Sequence, residues 1–198
     1  LEGVTVTIVP THHGVPSCGY HFESNGGAGK FDIERANELG LSKAQISQLA
    51  QGQDINIDGE SLPAESFRDE PRPGFSLMAS GDTAHGPMGF DAAYLPSSPR
   101  LLLHEATFMA NKQEKATQYY HSTAADAARH ATSCKASALA LTHYSSRFES
   151  LSPLVSEARE HFSGSVAATM DGDWFEIDAD GNVFHHVRVE SGWKTMNL

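Results

Sequence analysis

Positive charge is scarce in this chain: 14 Lys and Arg stand against 25 Asp and Glu in 198 residues, a formal net charge of −11. A surface of that sign repels a polyphosphate, which excludes a broad electrostatic grip on nucleic acid and leaves only local contacts. Cysteine is nearly absent too. Cys18 and Cys134 lie far apart with no Cys-x-x-Cys spacing, so there is no disulfide framework; both are expected as small buried hydrophobes in a reducing, cytoplasmic setting. No apolar run reaches the length of a membrane span, and the opening Leu-Glu-Gly-Val-Thr-Val lacks the charged and apolar regions of a signal peptide. An initiator Met is missing at Leu1, which suggests processing or a fragment.

What is present alternates between strand and helix signals. Val4 to Val9 has the period-two pattern of a strand, with Cys18 to Glu23 as its antiparallel partner across a loop from Thr11 to Ser17. Helical stretches follow over Phe31–Leu39 and Lys43–Gln51, the second capped by Ser42 and ended by Gly52. Asp54 to Glu60 reads as a hairpin around Asp-Gly, and Pro63 to Gly74 as a polar surface connection. The region 24–74 is short of large apolar residues and is expected to project as an arm. Beyond it, strands are expected at Phe75–Ala79, Leu101–Leu103, Ala138–Leu141, Val166–Thr169, Trp174–Ile177 and Val183–Val189. Gly86 to Pro99 reads as loop with one helical turn. An alanine-rich helix capped by Ser122 and another over Pro153–Phe162 complete the list, and the alternation argues an α/β fold with a mixed sheet.

Several apolar runs deliver a chemically active residue at their ends. His13, Asp82 and His143 stand at three such ends; two neutral imidazoles and a carboxylate suit Zn²⁺ or a similar divalent ion, and a carboxylate has the two oxygens needed to bridge a pair of ions. Glu105 and His121 form a candidate carboxylate–imidazole pair, with the ring as general acid for a leaving oxygen. Arg147 is a candidate phosphate ligand. The same residue types also serve as strand-end caps and surface histidines, and spacing alone does not separate the two readings. His185 and His186, adjacent in a strand, must point to opposite faces and are not expected to share an ion.

The residues in order say more than their spacing. His13-Gly-Val-Pro-Ser-Cys-Gly-Tyr20, Ser80-Gly-Asp-Thr83, His104-Glu-Ala-Thr-Phe108, His121-Ser-Thr-Ala-Ala125 and Leu141-Thr-His-Tyr-Ser-Ser-Arg-Phe148 resemble the second half of ribonuclease Z, the tRNA 3′-processing endonuclease of the metallo-β-lactamase superfamily. The resemblance covers nearly the whole chain. It implies an αββα sandwich, of which this chain would be the second αβ half with helices on one face, and a hydrolase carrying two ions, usually zinc, with manganese or another divalent ion as the alternative. By the same resemblance His13 and His143 are terminal metal ligands and Asp82 the bridge. A bridging hydroxide would attack the phosphodiester, Glu105 would orient His121 to assist the leaving 3′-oxygen, and Arg147 would neutralise phosphate.

Two departures qualify that picture. The family's His-x-His-x-Asp-His motif occurs nowhere in this sequence, so three ligands remain, too few to hold two ions tightly. The expectation is a missing N-terminal half, a partner chain or a homo-oligomer that also covers the sheet face an isolated half would expose. The region 24–74, where the family's tRNA-gripping arm lies, carries Leu39-Gly-Leu without the Gly-Pro pair that often follows, and only sparse basic residues. Pre-tRNA is thus the expected substrate, with a small-molecule phosphodiesterase or a non-catalytic half used for assembly as alternatives.

Overall fold

The structure is a computed structural model, described here for residues 3–72, 74–86 and 90–198. Residues 26–74 form one compact unit, and residues up to 25 together with 75–198 form the other.

The larger unit is built on a six-stranded mixed sheet. Its strands are β1 (Val4–His12), β2 (Pro16–Ser24), β5 (Ser76–Ala79), β6 (Leu101–Glu105), β7 (Ala138–Thr142) and β8 (Ser165–Ala168), in that spatial order. β1, β2 and β5 pair antiparallel, and β5 through β8 pair parallel. β1 therefore runs in the same direction as β5, β6 and β7, so all four deliver their C-terminal ends to one edge of the sheet. The first hairpin is longer and tighter than the sequence reading: pairing runs out to His12 and Pro16, so the expected seven-residue loop shrinks to a turn at His13, Gly14 and Val15. Gly14 is needed there. It has φ +66°, and a Cβ would come within 2.9 Å of the Tyr120 ring.

One face of this sheet carries α4 (Ala124–Ser133) and α5 (Ser152–Arg159). Ala124, Ala127, Ala128 and Ala131 recur along one stripe of α4 and are fully buried against Met78, Leu102, Leu139 and Leu141; small side chains at that period let the helix lie close on the strands. The cap is not the expected Ser122. Thr123 accepts from Asp126 N–H while the Asp126 carboxylate accepts from Thr123 N–H, a reciprocal box. Ser122 instead donates to the Thr83 carbonyl at 2.8 Å, tying the helix start to the end of β5. A short helix missed in the sequence, α3 (Gln113–Tyr119), precedes it and ends on Tyr120 in the left-handed conformation.

The opposite sheet face is partly covered. Val183, Phe175 and Ile177 from a second, three-stranded antiparallel sheet pack against Leu101, Leu103, Ala138 and Ala140. That sheet comprises β9 (Trp174–Ile177), β10 (Val183–Val189) and β11 (Gly192–Asn197), the last one not expected from sequence. Toward β1 and β2 the same face is open: Val6, Ile8 and Tyr20 are 44%, 65% and 44% exposed. Cys18 is likewise only half-buried, against expectation, whereas Cys134 is buried. No helix among the described residues is long and apolar enough to cross a membrane.

The unit 26–74 has its own small core of Ala36, Leu49, Ile55, Ala64 and Phe67. α1 (Ile33–Glu38) and α2 (Lys43–Ala50) enclose it together with a hairpin of β3 (Ile55–Ile57) and β4 (Glu60–Leu62). The turn is Asp58-Gly59 with φ of 52° and 90°, as a two-residue hairpin demands. The stretch from Pro63, read from sequence as a polar surface connection, contains a 3₁₀ turn that buries Ala64 and Phe67 completely or nearly so.

A buried and a half-buried histidine link sheet and helix. His104 on β6 donates Nδ1–H to the Glu105 carbonyl at 2.7 Å, and its Nε2 meets Nδ1 of His130 on α4 at 2.8 Å. Burial pushes each ring down to about 4. An unfolded imidazole takes up its proton near its ordinary value while the folded rings resist, so the unfolded state binds more protons between about pH 6.5 and 4 and stability falls as pH falls through that window. Urea unfolding should lose stability on the order of a few kcal/mol from pH 7 to 4.5, with a flatter profile in His130→Gln. Thr123→Ala should lose about 1–2 kcal/mol at pH 7 in the same measurement.

Candidate metal and hydrolytic site

Five of the six residues singled out in the sequence converge at the edge where β1, β5, β6 and β7 end. Asp82 follows β5, and its two carboxylate oxygens face different rings: Oδ2 lies 3.7 Å from His13 Nε2 and Oδ1 lies 3.6 Å from His143 Nε2. Both separations are too long for a hydrogen bond and match what two ligands, each ~2.0–2.1 Å from a shared divalent ion, would span.

The rings are oriented from behind. His13 Nδ1 lies 2.9 Å from the Tyr120 carbonyl, which only accepts, so Nδ1 carries the hydrogen and Nε2 presents its lone pair toward Asp82. The same logic holds for His143. Thr107 Oγ1 donates its one hydrogen to Glu105 Oε2 at 2.7 Å, so at 2.9 Å it accepts from His143 Nδ1–H, and His143 Nε2 is left free. His121 donates Nδ1–H to Glu105 Oε1 at 2.8 Å. Three imidazoles thus commit Nδ1–H to an oxygen and keep Nε2 bare, the arrangement that prepares histidine for metal or for proton transfer.

Glu105 is the hub. Its side chain is 1% exposed and accepts from Thr83 N–H at 2.9 Å, Thr107 Oγ1–H, His121 Nδ1–H and, more distantly, Thr107 N–H at 3.3 Å. A buried carboxylate needs such partners, since unpaired it would cost several kcal/mol. The rings themselves are close: His121 lies 4.5 Å from His13 and 5.2 Å from His143 between centroids. Ligand atoms of His13, Asp82 and His121 fall within 4.8 Å of one another, as do those of Glu105, His121 and His143. The donor set is nitrogen and carboxylate oxygen, which fits zinc and its neighbours.

Arg147 stands apart from this cluster. It is exposed and lines a cavity beside it, with Thr107, Phe108 and Phe148. His12 is also outside, its ring packed edge-on against Tyr120 at 5.0 Å. His185 and His186 indeed occupy opposite faces of β10: the first pairs with buried Asp173 at 2.8 Å, the second stacks on Trp174 at 3.7 Å. Sequence reasoning missed Thr107 and the Tyr120 carbonyl. Thr107 lay inside a quoted motif, but nothing in a sequence marks which threonine has its hydroxyl shared between a carboxylate and a ring.

No family model matches the chain. Ribonuclease Z of Myxococcus xanthus is 35% identical over 179 residues, 89% of this chain and 57% of that protein. Ribonuclease Z of Haloferax volcanii is 36% identical over 177 residues, 86% of this chain and 55% of that protein. The chain is homologous to ribonuclease Z. It spans about half the length of these curated relatives. Among solved structures, the metallo-β-lactamase fold protein YhfI of Bacillus subtilis superposes with a TM-score of 0.53 at 18% identity, over 93% of this chain and 51% of that one. The fold is accordingly metallo-β-lactamase-like, over roughly half of such a chain.

Thr107→Val keeps the shape at this position and deletes the hydroxyl. Affinity for a divalent ion, with zinc as the probe in competition with a chromogenic chelator, is expected to fall about 10–100-fold, the usual cost of removing a group that orients a histidine toward a metal.

Proposed function

We propose that this chain supplies part of the active site of a metal-dependent phosphodiester hydrolase that cleaves precursor tRNA on its 3′ side, with zinc as the expected ion. The observation that carries the reading is the set of three imidazoles whose Nε2 atoms stand free around Asp82 while every Nδ1–H is committed. His13 and His143 would each hold one ion and Asp82 would join the two. When bound, such ions polarise phosphoryl oxygens and activate water.

The chain's own residues then account for departure of the leaving group. Glu105 fixes His121 through Nδ1, so Nε2 is the atom turned toward the phosphate, and from there a protonated His121 donates to the ribose 3′-oxygen as the P–O bond breaks. Arg147 neutralises phosphate charge at the neighbouring cavity. The unit 26–74 is the candidate substrate-gripping arm, and the cytoplasm is the compartment that precursor tRNA implies.

Three ligands do not hold two ions tightly. A further segment, from a partner chain or the remaining half of the protein, is needed to supply ligands and to cover the open face at Val6, Ile8 and Tyr20; a second copy of this chain is the other candidate for that face. One observation favours a smaller diester as substrate. In the unit 26–74, nine acidic residues face five basic ones. Arg35 and Arg68 are spent internally, on the Ser66 carbonyl and on the Gly29 and Ala50 carbonyls, each also over a phenylalanine ring.

The test combines the chain with a polypeptide matching the remaining portion of its relatives and follows precursor tRNA cleavage beside hydrolysis of a small aryl phosphodiester. Cleavage abolished by a chelator and restored by zinc is expected. His121→Ala should lower kcat about 10²–10⁴-fold with metal content unchanged. Chelator-resistant cleavage, or an inert assembly that holds no metal, would overturn the proposal.

A further inference from the structure

Three cations of this acidic chain meet at one cavity. Lys112, Lys115 and Arg147 line a hollow of about 400 Å³ whose apolar walls are Phe108, Met109 and Phe148. The size is at the small end of ligand sites and gives room for one nucleotide. Its position relative to the imidazole cluster is specific. Phe108 lies 6.3 Å edge-on from the His121 ring, and Thr107, which forms part of the wall, is 2.9 Å from His143. His13 and Asp82 contribute nothing to the lining.

We infer that this cavity seats a single unpaired nucleotide, the one that carries the leaving 3′-oxygen. This rests on the hydrolase reading above in one respect only, the side of the phosphorus assigned to His121. A ribose whose 3′-oxygen takes a proton from His121 must lie on the His121 side of the scissile phosphate, and Phe108, a wall of this cavity, packs edge-on against that ring. The composition matches the ligand: aromatic and thioether faces for a base of any identity, with cations at the rim for its own 5′-phosphate. The charge contrast supports the same occupant. A chain with 14 basic residues and a net charge of −11 gathers three of its cations around an apolar floor. A purely apolar ligand leaves those cations without a role, and a free anion leaves the phenylalanines without one. Recognition here is tolerant of sequence, because stacking and phosphate contacts read no base edge.

The experiment uses the full chain stripped of metal with a chelator, so that phosphate ligation to an ion does not contribute. Adenosine 5′-monophosphate, adenosine and inorganic phosphate are titrated separately, with binding read by calorimetry and by the Met109 methyl resonance. The mononucleotide is expected to bind at least about tenfold more tightly than either fragment and to shift the Met109 signal. Lys112→Gln with Lys115→Gln should remove about tenfold from the mononucleotide and leave adenosine unchanged; both lysines are exposed, so folding is not at stake. Phosphate binding as tightly as the mononucleotide, a Met109 methyl that does not move, or no binding at about 10 mM would overturn the inference. The two readings fail separately. Mononucleotide binding with no diester cleavage in the completed assembly sinks the hydrolase and spares the cavity, whereas metal-dependent cleavage unaffected by the double lysine substitution sinks the cavity alone.

Discussion

A carboxylate with almost no access to water, at the end of a central strand, is the constraint on which the site depends. Glu105 is held by a backbone N–H from the end of β5, a hydroxyl two residues on along its own chain, and an imidazole from the link between α3 and α4. Each donor satisfies a charge that the interior would otherwise penalise heavily. The gain is mutual, because the same bonds fix the tautomer of His121 directly and that of His143 through Thr107. One buried acid therefore sets the direction of two rings that approach the same open space, and that space is bounded on the other side by Asp82.

The sheet explains why such distant residues meet. Five strands run the same way, so a residue just past β1, β5, β6 or β7 arrives at one edge whatever its separation in sequence. Local backbone adapts to the site at a cost. His143 has φ of 53° and Tyr120 has φ of 57°, left-handed conformations that side chains larger than glycine adopt reluctantly. Both are tied by hydrogen bonds into the cluster, Tyr120 through its carbonyl to His13 and His143 through Nδ1 to Thr107. Strain stored at residues that orient the imidazole rings is what a site requiring fixed geometry would contain.

How much of this was legible in the sequence follows from which interactions are local. Strand patterns at Val4–Val9, Leu101–Leu103 and Ala138–Leu141 are carried by period and apolarity, and they were readable although the strands run one to three residues further, as was the Asp58-Gly59 hairpin, whose turn chemistry is written in two residues. The candidate residues were readable from motif order, which survives without knowledge of contacts. What escaped was anything decided by partners remote in sequence. Thr123 rather than Ser122 caps α4 because Ser122 is drawn to the Thr83 carbonyl, 39 positions away. Phe67 is buried because the unit 26–74 closes a core of its own around it, which a proline-rich polar string does not announce. β11 carries Lys194, Thr195 and Asn197 among its few apolar residues, so its pairing with β10 is set by the hairpin and not by hydrophobic period.

Two incomplete features occur on the same hairpin. β1 and β2 present Val6, Ile8 and Tyr20 to solvent on one face, and the turn joining them carries His13, a proposed metal ligand whose Nε2 has a single carboxylate oxygen near it, Asp82 Oδ2 at 3.7 Å. Apolar side chains that far from burial contribute little to stability, and a ligand set that small binds an ion weakly. Both deficits would be relieved by the same event: a segment packing on the exposed hairpin and bringing nitrogen or oxygen donors to its turn would add apolar contact and coordination together. Metal affinity and assembly would then be thermodynamically linked, each strengthening the other by the same factor, because only the covered hairpin holds His13 among enough ligands.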